Sequence, residues 1–320
     1  MPQNEKILVI KLGALGDFIQ ALGPMAAIRR HHPQAHITLL TTKPYESFAE
    51  ACGYFNEISI DEKPAAMNIS GWMKIKKFFN SGNFKRVYDL QNNDRTGFYF
   101  KLLNPRKRPE WVGIARGASH RNDAPDRSAG HAFDGHVQTL ALAGITDVKI
   151  DTLEWMQASV SSFPLRKPYV ILIPGSSPAR PEKRWPADHY ARLAQILVQL
   201  GYQPVLVSGP ADSDTIEKIL RACPELVNLA GQTTLPQVAA LAREAAAAIG
   251  NDTGPMHLVA ATGCPCIALF SGTSHLVKHA PRGQYVEIIL EKNLKNLTPE
   301  KVLKSFRPRF EPPKISAALH

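Results

Sequence analysis

A short run late in the chain, Gly250-Asn251-Asp252-Thr253-Gly254-Pro255-Met256-His257, gathers the residue types that hold an anion through the main chain. It follows an apolar run at 246–249 that reads as a strand, and it leads into a helix-like run at 256–262. Glycine frees the turn, Asp252 and Thr253 suit a cap, and Pro255 suits the first helical position. The N–H groups of such a start, with the positive end of the helix dipole, face whatever lies before them. Phosphate fits that description. An ordinary capped helix carries the same residues, so the segment gains weight only beside others.

Two other loops supply them, each after a predicted strand. Lys11-Leu12-Gly13-Ala14-Leu15-Gly16-Asp17 opens a helix and puts a carboxylate at its positive end. Asp17 reads either as a helix-start charge or as a general base within reach of a substrate hydroxyl. Pro174-Gly175-Ser176-Ser177-Pro178-Ala179-Arg180-Pro181-Glu182-Lys183-Arg184-Trp185-Pro186 combines small residues, two hydroxyls and three cations ahead of a helix. Converging cations would make it an anion clamp, and diverging ones a solvated basic loop. Gly13 and Gly16 lack the spacing of a dinucleotide fingerprint, no acidic residue closes the second strand, and no phosphate-loop lysine pattern occurs. A nicotinamide dehydrogenase is thereby disfavoured.

The elements that must position these loops alternate along the whole chain, the pattern of parallel sheets covered by helices. In the first half, strands are predicted over 6–12, 36–42, 57–60, 86–90 and 111–115. Helices are predicted over 17–30, 45–52, 72–80, 97–103 and 136–142. The stretch 116–135 has no periodicity and reads as a long functional loop. A second alternation runs from 169 to 270, with strands over 169–173, 203–208, 227–229, 246–249 and 266–270. Its helices are predicted over 187–200, 213–222, 235–245 and 255–262, and a short helix over 298–306 follows. With 164–168 as linker, the domains are expected over 1–163 and 164–320.

Composition bounds the partners. Hydrophobic content of 44% and charged content of 21% describe a globular chain, and no run is long and apolar enough for a membrane span. The N-terminus passes into Ile7-Leu8-Val9-Ile10 without the order of a signal peptide, so a cytoplasmic location is expected. Cys52, Cys223, Cys264 and Cys266 fit no disulfide framework or zinc knuckle and read as buried thiols. The charge is uneven. Residues 1–150 hold 20 Lys and Arg against 14 Asp and Glu, residues 151–300 hold 13 of each, and the last twenty hold 5 against 1. An anionic partner for the first half fits this, and so does a solvated basic surface. No motif of a nucleic-acid binder appears.

Residues 11–17, Glu182-Lys183-Arg184-Trp185-Pro186 and Asn251-Asp252-Thr253-Gly254-Pro255-Met256-His257, taken in order and spacing, resemble glycosyltransferase family 9 over nearly the whole chain. These are the bacterial heptosyltransferases of lipopolysaccharide inner-core assembly. The resemblance implies an α/β, GT-B fold, two Rossmann-like parallel-sheet domains facing across a cleft, with a C-terminal helix that crosses back to the first. It implies inverting transfer without metal or other cofactor, from ADP-heptose to a Kdo- or heptose-bearing lipid A acceptor at the inner membrane's cytoplasmic face. Asp17 then matches the catalytic base, and Lys183 the lysine at the donor's sugar and phosphate. Asp252 matches the residue on the sugar hydroxyls. Thr253, Gly254, Met256 and His257, with Ser176 and Ser177, fall on the donor side.

The acceptor, an anionic lipid-linked oligosaccharide, is expected against Gly13, Arg116 and His120. His131 and His136 share that loop at spacings that suit no compact metal site. Family members often carry a glutamate for the ribose four residues after Gly209. Here Ser213 stands there, between Asp212 and Asp214, so one of these substitutes or another nucleotide sugar is used. Asp212 and Asp214 also spell a metal-binding pair, although acidic residues are favoured at any helix start. A protein that kept the fold and lost catalysis would have lost Asp17, Lys183 or Asp252, and all are present. Trp72, Ile75 and Phe79 form a stripe beside Lys74, Lys76 and Lys77. Such a segment suits an anionic leaflet, or a helix packed on a sheet with a basic outer face.

Overall fold

The computed structural model describes residues 5–127, 129–176, 180–209, 213–273 and 276–312. The chain divides into two compact units, Met1–Asp151 and Thr152–His320. In the first, β1 (Lys6–Ile10), β2 (His36–Thr41), β3 (Glu57–Ile60), β4 (Arg86–Asp89), β5 (Glu110–Gly113) and the short β6 (His120–Arg121) form one parallel sheet. Its order is β3-β2-β1-β4-β5-β6. Helices α1 (Leu15–His31), α2 (Glu46–Ala51), α3 (Ile69–Ser81), α4 (Asp94–Leu102) and α5 (Ala132–Ala141) belong to this unit.

The second unit repeats the plan. Its strands are β7 (Tyr169–Ile173), β8 (Gln203–Leu206), β9 (Val227–Asn228), β10 (Ala247–Asn251), β11 (Cys266–Ser271) and β12 (Val286–Glu291). Its helices are α6 (Ala187–Gln199), α7 (Ser213–Ala222), α8 (Leu235–Glu244), α9 (Gly254–Ala261), α10 (Leu276–His279) and α11 (Pro299–Lys304). The parallel sheet runs β12-β11-β10-β7-β8-β9. Counted from its own first strand, each sheet has the same order, and in each the winding reverses between the first and fourth strands. Ligands of such sheets lie outside the carboxyl ends of those strands. Central strands such as Ile7-Leu8-Val9-Ile10 and Tyr169-Val170-Ile171-Leu172-Ile173 are buried on both faces, as parallel sheets require.

The unit boundary lies before the 163/164 junction expected from the prolines. Arg243 of α8 donates to the carbonyls of Leu153 and Met156, whose side chains are buried, so the segment after Asp151 packs with the second unit. Val302 of α11 is fully buried with Leu294 and Leu297 in the second unit's core, and Arg309 donates to the carbonyls of Arg243 and Gly263. Among the described residues, the C-terminal segment therefore packs with the second unit. The stretch 116–135 is not one long loop, because β6 pairs with β5 and α5 begins at Ala132. The strand β12 escaped the sequence reading because its burial is intermediate along most of its length.

The stripe on α3 resolves as packing. Ile75 and Phe79 are buried beside Tyr99, Phe100 and Trp111, while Trp72 is half-buried against them. All four cysteines are buried and free, and burial pushes the Cys52 and Cys264 thiols up to about 12.

Candidate active site

In the second unit, β7 and β10 end side by side, with Gly250 paired to Ile173. A β-carbon on Gly250 would lie 2.7 Å from both Ile173 Cβ and Met256 Sδ, so only glycine lets strand and helix approach this closely. Asn251 follows and has no solvent exposure. Its Nδ2 donates to the Pro174 carbonyl at 2.6 Å, and its Oδ1 accepts from the Trp185 N–H at 3.1 Å and the Tyr190 hydroxyl at 3.0 Å. One amide thus ties the end of β10 to both ends of the 174–186 loop. Trp185 is anchored in turn, its indole donating to the Leu297 carbonyl at 2.8 Å.

That lock brings the next residues together. Lys183 Nζ donates to Asp252 Oδ2 at 2.5 Å, with only 21% and 7% of the two side chains exposed. Asp252 is fixed from behind by its own N–H, which donates to Leu269 of β11 at 3.1 Å. Thr253 then caps α9 with extended backbone but without a side-chain hydrogen bond to the helix. The side chain of Thr253 thus leaves the helix start uncapped, Pro255 carries no N–H, and the dipole adds positive potential beside the lysine. Gly254 begins the helix, and His257 is buried on its first turn. Met256 was expected to face the donor. Its side chain is instead fully buried in the core, and its N–H donates to the Thr253 carbonyl.

The cations of the 174–186 loop do not converge. Arg180 pairs with Glu182 at 3.6 Å, and the Arg184 guanidinium donates to Ser176 Oγ at 3.2 Å. The Ser176 hydroxyl donates to the Arg180 carbonyl at 3.3 Å, so this serine shapes the loop. Ser177 and Asp212 lie outside the described residues. Asp214 stands in the first turn of α7.

In the first unit the equivalent place is the end of β1 beside β4, with Ile10 paired to Asp89. The Leu12 main chain is clamped from three sides. Its N–H donates to Gln91 Oε1 at 2.8 Å, and its carbonyl accepts from Thr42 Oγ1 at 3.2 Å and Lys63 Nζ at 3.1 Å. Gly13 has φ +111°, and a β-carbon there would meet the Tyr45 ring. The turn delivers Asp17, half-buried, to the first turn of α1, whose cap Ala14 offers no side-chain bond. Tyr45 stacks on Phe18 with centroids 5.0 Å apart, and burial together with the charge of Asp17 raises its phenol.

Beneath Asp17 lies a buried group of charges. Lys11 donates to the Leu90 carbonyl at 3.2 Å. Burial lowers its ammonium from the usual lysine value, while Asp17 and Asp89 hold it up. Asp89 accepts from the N–H groups of Gln91 and Asn92, yet burial raises its carboxyl to about 6. His136 is pushed down to about 3 by burial and then by the charge of Lys11, so it is neutral.

Of the residues expected at the acceptor, Gly13 is in this turn. Arg116 is exposed after β5, and His120 lies on the edge strand β6, its ring 3.1 Å from Ser119 Oγ. His131 and His136 do not join them. His131 caps α5 by accepting from the Phe133 N–H, and His136 is inside. Sequence reasoning missed Asn251 as the lock and Lys11 as a buried charge. Both carried a signal, a polar side chain directly after an apolar run that ends a strand.

Two doubly wound parallel sheets in one chain, the second carrying a lysine–aspartate pair beside the start of α9, are the architecture of the two-Rossmann glycosyltransferases. The sequence model of glycosyltransferase family 9 (heptosyltransferase) matches residues 132–306, more than half of the chain, and the chain belongs to that family. Lipopolysaccharide heptosyltransferase 2 of Salmonella typhimurium is 28% identical over 292 residues, covering 84% of this chain and 83% of that protein. Among solved structures, the E. coli ADP-heptose lps heptosyltransferase II is similar with a TM-score of 0.71 at 25% identity, covering 94% of this chain and 97% of that one. The family 9 glycosyl transferase from Veillonella parvula has the same fold, with a TM-score of 0.78 at 24% identity over 95% and 97%.

Proposed function

We propose that the protein transfers a heptose from ADP-heptose to a lipopolysaccharide inner-core acceptor, with inversion at the anomeric carbon. The observation that carries this reading is the Lys183–Asp252 pair at the uncapped start of α9. Donor diphosphate is assigned to the main chain at Thr253 and Gly254 with His257 on the same turn, and the sugar hydroxyls to Asp252. Asp17 takes the proton from the acceptor hydroxyl as its oxygen bonds to the anomeric carbon. The bond from that carbon to the phosphate oxygen breaks, and ADP leaves with its electron pair. Lys183 and the helix start meet the charge that grows on the leaving group. This assigns to side chain and main chain a role that a metal ion fills in other transferases. A chelator that abolished turnover would overturn that assignment.

The acceptor is assigned to the first unit at Gly13, Arg116 and His120. It is an anionic, lipid-linked oligosaccharide, which sets the protein to work at the cytoplasmic face of the inner membrane. Calorimetry with ADP-, UDP- and GDP-sugars tests the donor, and tight binding of UDP-sugars with none of ADP-sugars would sink this reading. Another nucleotide sugar is the second reading, favoured by Ser213 where the family often has the ribose glutamate.

A further inference from the structure

Residues 62–108 hold eleven Lys and Arg against three Asp and Glu, so this stretch carries +8 of the chain's net +10. The same stretch contains the two most exposed large apolar side chains among the described residues, Met67 and Ile69. Met67 is 90% exposed, Ile69 73% and Met73 66%, and Phe98 on neighbouring α4 is 43% exposed. The arrangement on α3 is directional. Gly71, Ile75 and Phe79, four residues apart, face the core. At 100° per residue, Ile69 and Met73 stand on the opposite face, and Lys76, Lys77 and Asn80 continue it one turn further on. Trp72 sits at the margin, its ring 4.9 Å from Phe98 and under the Arg95 guanidinium at 5.3 Å. Among the described residues, no carboxylate pairs with Lys76, Lys77, Lys101, Arg106 or Lys107. The Lys74–Glu62 contact is long, at 3.9 Å, and wholly at the surface.

Exposed apolar side chains grouped on one face and rimmed by charge mark an interaction surface. A protein partner or a second copy would need an acidic face to match, whereas an anionic leaflet supplies both halves of the match. Methionine, isoleucine and phenylalanine enter the headgroup boundary, lysines meet lipid phosphates, and the Trp72 ring suits the interface between them. No helix among the described residues is long and apolar enough to cross a membrane, so attachment would lie along the surface.

We propose that the outer face of α3, with Phe98 of α4, docks the protein on an anionic phospholipid surface through Met67, Ile69 and Met73, held by Lys74, Lys76 and Lys77. The purpose of docking rests on the lipid-linked acceptor proposed above, but the binding does not. These are not the residues of the Trp72, Ile75 and Phe79 stripe, which faces inward.

The test is co-sedimentation of the full-length protein with vesicles of phosphatidylglycerol and phosphatidylethanolamine, against vesicles of phosphatidylcholine. Binding to the anionic vesicles alone, weakening as salt is raised, is the expected result. Each lysine at such a surface is worth about fivefold in partitioning. Lys74→Glu/Lys76→Glu/Lys77→Glu and Met67→Ser/Ile69→Ser/Met73→Ser should each lower the partition constant by more than about tenfold. Both should melt like the parent, because the positions are exposed. Equal binding to neutral vesicles, or partitioning unchanged in both variants, would overturn the proposal. So would concentration-dependent dimerisation that the apolar variant abolishes, since the face would then belong to a second copy. Donor calorimetry and turnover on a deacylated, water-soluble acceptor should be unchanged in both variants. A failure of transfer on that soluble acceptor in the parent protein would instead strike the transfer reading and leave the surface untouched.

Discussion

The carboxyl end of the fourth strand is built in two ways in the two units. In the second, Asn251 is neutral, fully buried and bonded to three partners, and the helix that follows has no side-chain cap. In the first, Asp89 is an acid and fully buried, and its Oδ1 accepts from the N–H groups of Gln91 and Asn92. There the helix that follows, α4, is closed by a reciprocal capping box between Asn93 and Thr96. The topology is shared, so the contrast isolates what the side chains add. A neutral lock permits an ion pair and a helix start without a side-chain cap, and that is where the diphosphate is proposed. A capped helix over a buried carboxylate offers an anion little, and the charge that the first unit presents is Asp17 on α1. The proposed donor binding and proton abstraction fall on different loops, and substitutions should separate them.

The largest separation is expected at Asp17→Ala. Loss of a general base should cut kcat by about 10²–10⁴-fold while leaving the donor Kd from calorimetry within about twofold. A comparable loss of donor affinity would erase the contrast. Lys183→Met should do the reverse in part. Removing a preorganised charge from the leaving group costs about 10²–10³-fold in kcat, and here donor affinity should fall with it. A Lys183 variant that binds donor normally would move the diphosphate elsewhere.

Asn251→Ala probes the lock rather than the chemistry. It leaves the Trp185 N–H and the Pro174 carbonyl without their partner inside the core, at about 1–3 kcal/mol for each buried group left unpaired. Denaturant unfolding should show a loss of about 3 kcal/mol, with donor affinity falling because Lys183 and Asp252 are no longer held together. Asp89→Asn tests the opposite design through pH. Burial raises this carboxyl from 3.8 to about 6, so between those values the folded state binds the proton more tightly than the unfolded chain. The ionised form therefore destabilises the fold, by an amount that grows as pH rises from 4 and is complete above 6. Two pH units correspond to about 3 kcal/mol. The stability of the variant relative to the parent should rise by up to that amount between pH 4 and pH 7, and a flat difference would show that Asp89 carries no such burden.

Much of this contrast was written locally, and the rest was not. Strand ends, glycine turns and helix starts depend on neighbours in sequence, so the 11–17 loop, the 251–257 run and the parallel alternation were readable from spacing. What spacing cannot say is which way a side chain turns once the sheet closes. His136 lies beside Asp134 and Gln138 in sequence, and Met256 follows a polar turn, but both are inside in space. Arg180, Lys183 and Arg184 look like one clamp but take three different partners. The junction after Asp151 was misplaced because Arg243, far along the chain, bonds the carbonyls of Leu153 and Met156. The α3 stripe shows the same limit, since an amphipathic helix does not announce which face is inside.

The smallest effects give the sharpest form of the contrast, because they concern one hydroxyl and one amide at equivalent helix starts. The Asn93 side chain accepts from the Thr96 N–H at 3.1 Å, so Asn93→Ala should cost about 1 kcal/mol of stability. It should not change donor affinity. Thr253 makes no such bond to α9, so Thr253→Ala should lie within about 0.5 kcal/mol of the parent in denaturant unfolding, like a surface change that breaks no contact. It should nevertheless weaken donor binding, because the hydroxyl stands free at the mouth of the helix where the diphosphate is assigned. Urea unfolding and donor calorimetry on the two variants give four numbers. If Thr253→Ala lost stability and kept the donor, α9 would be an ordinary capped helix, and the second unit would be no better suited to an anion than the first.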